Sequence, residues 1–192
     1  VLVALEGLFR LLGVLLGLVV HYTRSALVDA NRASEAASLL VEELKSLDLE
    51  SLQEPQVLGR VAQQAHYVEA PAGRLRLLLI PLAPLKLLPP VGPRVRAASD
   101  TASLAFHTSR ALRLTMEVYK EGLEAAQTGG EEAMARALER RRGALETASR
   151  SLEKAAALKD RPLFITPSQA DILEEGLAFL EAALLVALHS PA

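Results

Sequence analysis

The chain has 192 residues, 51 % of them hydrophobic and only 4 % aromatic, with a net charge of −2 and no cysteine. That length holds one domain with a real core, or an anchor plus one domain. The charge excludes a general attraction to nucleic acid, and the lack of cysteine excludes a disulfide scaffold, a thiol nucleophile and a thiolate metal site. The apolar content is mostly Leu, Ala and Val, which suits helices packed along long seams, so the expected class is all-α. The start at Val1 and the abrupt end at Ser190-Pro191-Ala192 read as a fragment of something longer.

Residues 1–20, VLVALEGLFRLLGVLLGLVV, have the length and apolarity of a transmembrane helix. Fourteen large apolar residues contribute about −4 to −8 kcal/mol to insertion, against about +2.5 to +3.5 kcal/mol for a central charge. Glu6 and Arg10 stand one helical turn apart and can pair. No small-x-small cleavage site follows, so an anchor over residues 1–22 is preferred to a secretory signal. The competing reading is a core helix of a soluble bundle. Gly13 and Gly17 form a GxxxG pair, a candidate contact for helix dimerisation and hence for a homodimer.

From residue 23 to the end, the sequence predicts an antiparallel helical bundle. Ala26, Ala30, Ala33, Ala37, Leu40, Leu44 and Leu47 keep the alternating spacing of a coiled-coil seam, so residues 21–50 read as an amphipathic stalk continuing from the anchor. A turn near Leu52–Pro55 follows. A short helix marked by Val57, Leu58, Val61, Ala62, Ala65 and Val68 then ends at Pro71-Ala72-Gly73.

Residues 71–93 read as a proline-rich connector. Pro81, Pro84, Pro89, Pro90 and Pro93 forbid one continuous α-helix. Arg74, Arg76, Lys86, Arg94 and Arg96 are basic, and no acidic residue occurs between Pro71 and Ser99. Two readings compete. One is a kinked apolar segment lying on an anionic membrane surface, with those five cations as its lipid contacts. The other, which is preferred, is a broken connector packed on the bundle with its cations at the rim.

Residues 94–159 predict a long helical hairpin. Val95, Ala98, Ala102, Ala105, Ser109, Leu112, Met116, Tyr119, Leu123 and Ala126 form the seam of the first arm. Thr128-Gly129-Gly130 reverses the chain, and Glu131 and Glu132 suit the start of the second arm. Met134, Leu138, Leu145, Ala148, Leu152 and Ala155 line that arm, and counting from the turn sets Leu112 opposite Leu145. Arg161-Pro162 ends it. Thr166-Pro167 starts a last helix with Ile172, Leu173, Leu177, Leu180, Leu184, Val186 and Leu188 as its apolar positions.

No catalytic motif, phosphate-binding loop or dinucleotide fingerprint is present, and no cofactor or metal site is expected. His21, His66, His107 and His189 lack a second ligand at helical spacing and read as surface or rim residues. Arg140-Arg141-Arg142 reads as a solvated helix face.

The order of parts resembles the N-terminal region of the bacterial envelope family called domain of unknown function 4012. The residues that carry the resemblance are Leu88, Pro89, Pro90, Val91 and Gly92, a Leu-Pro-x-x-Gly segment opening a long helix after a spanning helix and stalk. The resemblance implies a membrane anchor, an envelope location and a further domain downstream, and it implies no activity. The favoured function is therefore a membrane-anchored, extracytoplasmic scaffold, not an enzyme, that contacts lipid and presents a protein partner or a C-terminal domain. The alternative is a soluble helical interaction or sensor module with residues 1–20 at its core.

Overall fold

The computed structural model describes residues 54–128, 130–163 and 167–189, together with His21, Arg24, Ser25, Val28 and Arg32, which are helical. The expected anchor, its Gly13–Gly17 pair and the seam of the stalk lie outside the described residues. Among the described residues no helix is long and apolar enough to cross a membrane.

The described chain is all-α, without a strand. Four α-helices follow in order: α1 (Pro55–Leu79), α2 (Val91–Thr128), α3 (Glu131–Ala156) and α4 (Pro167–His189), with a 3-10 helix, Ile80–Leu87, between the first two. Pro55 takes the first turn of α1, where its missing N–H costs nothing. Gly130 caps α3 in extended conformation, and Glu131 and Glu132 stand in the first turn, as expected.

The central helix is α2. At 38 residues it is about 57 Å long. On one side Ala111, Leu112 and Met116 meet Leu58, Val61, Ala62, Ala65 and Val68 of α1. On another side Leu104 meets Ala155 of α3 and Leu177 of α4, and Val118 meets Leu145, Ala148, Leu184 and Ala187. These clusters fix the directions: α1 and α3 both run antiparallel to α2, and α4 runs back alongside α2.

The hairpin of α2 and α3 forms as expected, but its register needs correction. Leu112 faces α1, and Leu145 instead packs with Leu114 and Val118. The cause is a second stripe on α2. Leu104 and Val118, fourteen residues apart, are buried toward α3 and α4, while Ala111 midway between them packs with Leu112 on the α1 side. A helix with neighbours on two sides needs two seams, and counting along one of them misplaces the other.

The helix stop expected at Pro71-Ala72-Gly73 is also corrected, since α1 runs on to Leu79 with Pro71 inside it. A mid-helix proline forfeits one backbone hydrogen bond. Here Val68, Pro71 and Ala72 are buried against α2, which offsets that cost. The connector of residues 71–93 is thus helical for most of its length, as α-helix and then 3-10 helix. Only Leu88–Pro90 is a turn, containing a cis Pro89-Pro90 bond.

Two residues expected at the surface are not there. His107 is buried in α2. Arg141, in the run read as a solvated face, is half-buried and donates to the Ala187 carbonyl in the last turn of α4. Tyr119 donates to the Ala183 carbonyl at 2.9 Å, so α2 and α3 both satisfy carbonyls near the α4 C-terminus.

The hairpin makes a plain prediction. Leu145 is 3 % exposed, whereas the Arg142 side chain is 87 % exposed. Leu145→Asp buries an unpaired charge and should lower stability by more than about 3 kcal/mol. Arg142→Asp should change it by about 0.5 kcal/mol. Urea unfolding followed by circular dichroism measures both.

Candidate functional site

The distinctive surface is the tip where α1 turns into α2. The 3-10 helix Ile80–Leu87 buries none of its side chains. Leu77, Ile80, Leu82, Leu87, Leu88 and Val91 are all exposed, Leu87 at 84 %. The preferred expectation, a connector packed on the bundle, holds in part: Leu85 and Lys86 are half-buried beside the start of α2, while most of the other side chains of the segment are exposed. In 3-10 geometry side chains three apart share a face, so Leu79, Leu82 and Leu85 form the less exposed side of the segment, while Ile80 and Leu87 stand off it toward solvent.

The tip is nevertheless well braced. Lys86 donates to Ser99 Oγ at 3.2 Å, and Arg96 donates to the Lys86 carbonyl at 3.2 Å. The Gly92 N–H donates to the Leu88 carbonyl at 2.7 Å. A Cβ on Gly92 would stand 2.4 Å from the Lys86 carbonyl oxygen, a distance that backbone cannot tolerate. Glycine in the Leu88-Pro89-Pro90-Val91-Gly92 segment is thus a steric requirement for bringing the 3-10 helix across the start of α2.

The five cations singled out in the sequence divide. Arg74, Arg94 and Arg96 are exposed around the tip, and Lys86 is half-buried beside Ser99. Arg76 turns inward and stacks over the Phe106 ring, 4.5 Å from its centroid. With Gly73, Leu77, Ile80, Ser99 and Ser103 it lines a shallow groove of about 330 Å³.

Behind the tip lies a polar layer between α1 and α2. Glu69 is buried and accepts from Arg113 Nε at 2.6 Å, while Arg113 Nη1 also reaches Glu117 at 2.9 Å. Arg110 stands 3.9 Å from Glu69 and 5.7 Å from the Phe106 centroid. The hydrogen bond that Arg113 donates to Glu69 holds its guanidinium more firmly protonated, against the opposing effect of burial. Burial, and next the Arg110 charge, push Arg76 the other way. Asp100, the first acid after the tip, faces Arg161 at 3.5 Å. Both acids that border the tip are therefore engaged by arginines, and the cations ahead of them keep their net positive field.

Of this layer the Arg113–Glu117 pair was legible, since four residues separate its members on one helix. Glu69 and Arg113 lie 44 residues apart, and no spacing rule joins them. Among the described residues no group of His, Asp and Glu side chains could hold a metal ion. The chain matches no protein-family model, no curated protein and no solved structure.

Two predictions follow from the geometry of the tip and of the layer behind it. Gly92→Ala should destabilise the fold by about 1–3 kcal/mol through overpacking against backbone, measurable as a lower urea midpoint. The second concerns His107. Burial lowers its pKa from 6.5 to about 4, and Arg76, Lys154 and Arg110 act in the same direction. The unfolded chain takes up this proton near its ordinary pKa, while the folded chain resists it. Stability from this group is complete above 6.5 and is lost as pH falls toward 4, by up to about 3 kcal/mol. His107→Leu should flatten that part of the profile. Equal acid sensitivity of the two proteins in urea titrations would refute the assignment.

Proposed function

We propose that this chain is a membrane-anchored helical scaffold of the bacterial cell envelope. In this reading residues 1–22 span the membrane and residues 23–192 stand on the extracytoplasmic side as a helical bundle. The observation that carries it is the apolar length of residues 1–20, which favours insertion even with Glu6 and Arg10 included. Few basic residues flank that segment, and the region after it leans acidic, which favours an outward orientation. The resemblance to the domain of unknown function 4012 family supports the envelope location, and the motif that carries it, Leu88 to Gly92, does open a long helix in this fold.

The role is spacing and presentation rather than catalysis. A helix of 38 residues, braced by α1 on one side and α3 on the other, is a stiff rod that holds whatever is attached to the bundle at a set height. Its cargo is a protein partner or a domain following residue 192.

The test is fractionation of the expressed chain. It should pellet with membranes and resist both high salt and alkaline carbonate. Deleting residues 1–20 should release a monodisperse, strongly helical protein. A truncated chain that unfolds or aggregates would establish the alternative, a soluble interaction module built around residues 1–20 as its core helix.

A further inference from the structure

We propose that the tip between α1 and α2, residues 77–96, docks on an anionic lipid surface, with its exposed leucines at the acyl boundary and its cations at the headgroup phosphates. Its orientation toward the bilayer rests on the anchored reading above; its chemistry does not.

The tip is built unlike the rest of the molecule. Leu104 packs with Ala155, so α3 ends level with Leu104. The segment just past α3 stays beside α2 as far as Asp100, which faces Arg161, and from there α2 extends back to Val91 flanked by the end of α1 and the 3-10 helix, a length of about 14 Å. At its end Ile80, Leu82, Leu87, Leu88 and Val91 are all exposed within twelve residues of chain. An exposed apolar patch of this kind marks a surface that something covers.

Charge identifies what covers it. Arg74, Arg94 and Arg96 are exposed in the same stretch of chain as the leucines, and the sequence from Pro71 to Ser99 contains no acid. A protein interface of that composition needs an acidic partner with apolar pockets. A phosphate-rich bilayer supplies both features over any shape, the charge at its surface and the apolar phase just beneath. Lysine and arginine stems reach headgroups while their leucine neighbours enter the interface.

The path of the chain then directs the tip to that surface. Gly59, near the start of α1, lies beside Lys120, toward the far end of α2 from the tip. The stalk that the sequence predicts for residues 23–50 would rise about 40 Å from the bilayer. α1, of 25 residues, and the 3-10 helix, of 8, run about 50 Å from that far end to the tip. Were residues 23–50 to form the stalk that the sequence predicts, and the turn expected near Leu52–Pro55 to reverse it, α1 would carry the tip back toward the membrane.

The chain has no cysteine, so a single one can be placed at will. Full-length protein carrying Leu87→Cys is labelled with an environment-sensitive fluorophore and reconstituted into liposomes of phosphatidylcholine, alone or mixed with phosphatidylglycerol. Arg142→Cys, on the exposed face of α3, serves as the aqueous control. The Leu87 label should be quenched by lipids carrying a nitroxide in the acyl chain, strongly in anionic liposomes and weakly in neutral ones. The Arg142 label should not be quenched in either. Combining Arg94→Glu with Arg96→Glu should lower the docked population by about 25-fold or more, since each charge near an anionic surface is worth about fivefold. Both arginines are exposed, but Arg96 also braces the Lys86 carbonyl, so Arg94→Glu alone, expected to lower docking about fivefold, separates the loss of charge from the loss of that brace.

A Leu87 label as aqueous as the control in anionic liposomes overturns the proposal. So does quenching that is equal in neutral liposomes and indifferent to the two reversals. A label shift that grows with protein concentration without lipid overturns it in favour of a second copy as the occupant. Carbonate extraction of the same liposomes separates this outcome from the anchored reading. Release by carbonate together with quenching keeps the docking tip and removes the anchor, and retention without quenching does the reverse.

Discussion

The burial of α2 on two sides is the constraint on which the rest of this structure depends. A single amphipathic stripe would suit a helix lying on a surface. This helix instead carries two stripes, one through Leu112 and Met116 toward α1 and one through Leu104 and Val118 toward α3 and α4. At the α1 interface a small residue keeps the neighbours close: Gly73 of α1 lies against the Phe106 ring, where an added Cβ would stand 3.2 Å from the nearest ring atom. Two buried hydroxyls of α2 are satisfied within their own helix. Ser109 donates to the Ala105 carbonyl at 2.6 Å, and Thr115 donates to the Ala111 carbonyl at 2.8 Å. Hydroxyls closed off this way occupy the volume of small apolar side chains and ask nothing of the helix opposite.

The same constraint explains the tip. Because α1 is held along α2 as far as Leu79, the chain has only Ile80 to Pro90 in which to reverse. Prolines suit that task, since 3-10 geometry tolerates their missing N–H groups and tightens the path. The consequence is an apolar segment that cannot bury its own leucines. Behind it, the Glu69–Arg113–Glu117 layer and the arginines on Phe106 close the interface with charge rather than with more leucine. A buried ion pair of this sort fixes register more than it adds stability, because desolvating both partners consumes much of their attraction. The polar layer ties Glu69 of α1 to Arg113 of α2 at 2.6 Å behind the tip.

Much of the fold was determined by the sequence alone, because it depends on local rules. The all-α class follows from Leu, Ala and Glu in helical periods with few aromatics, and Gly130 and Pro167 mark helix starts that any packing would respect. The stripes on α2 are also present in the sequence, but periodicity does not say which neighbour each stripe meets. Only the tertiary structure decided that Leu112 faces α1 and Leu145 faces Val118. It also decided that Pro71 stays inside a helix, since the cost of a lost backbone bond is local and the burial that outweighs it is not. The cluster of Glu69, Phe106, Arg110 and Arg113 is long-range in the same sense. So is the exposure of Leu87: an apolar run reads as core material in a sequence, and whether it is covered depends on where the neighbouring helix ends.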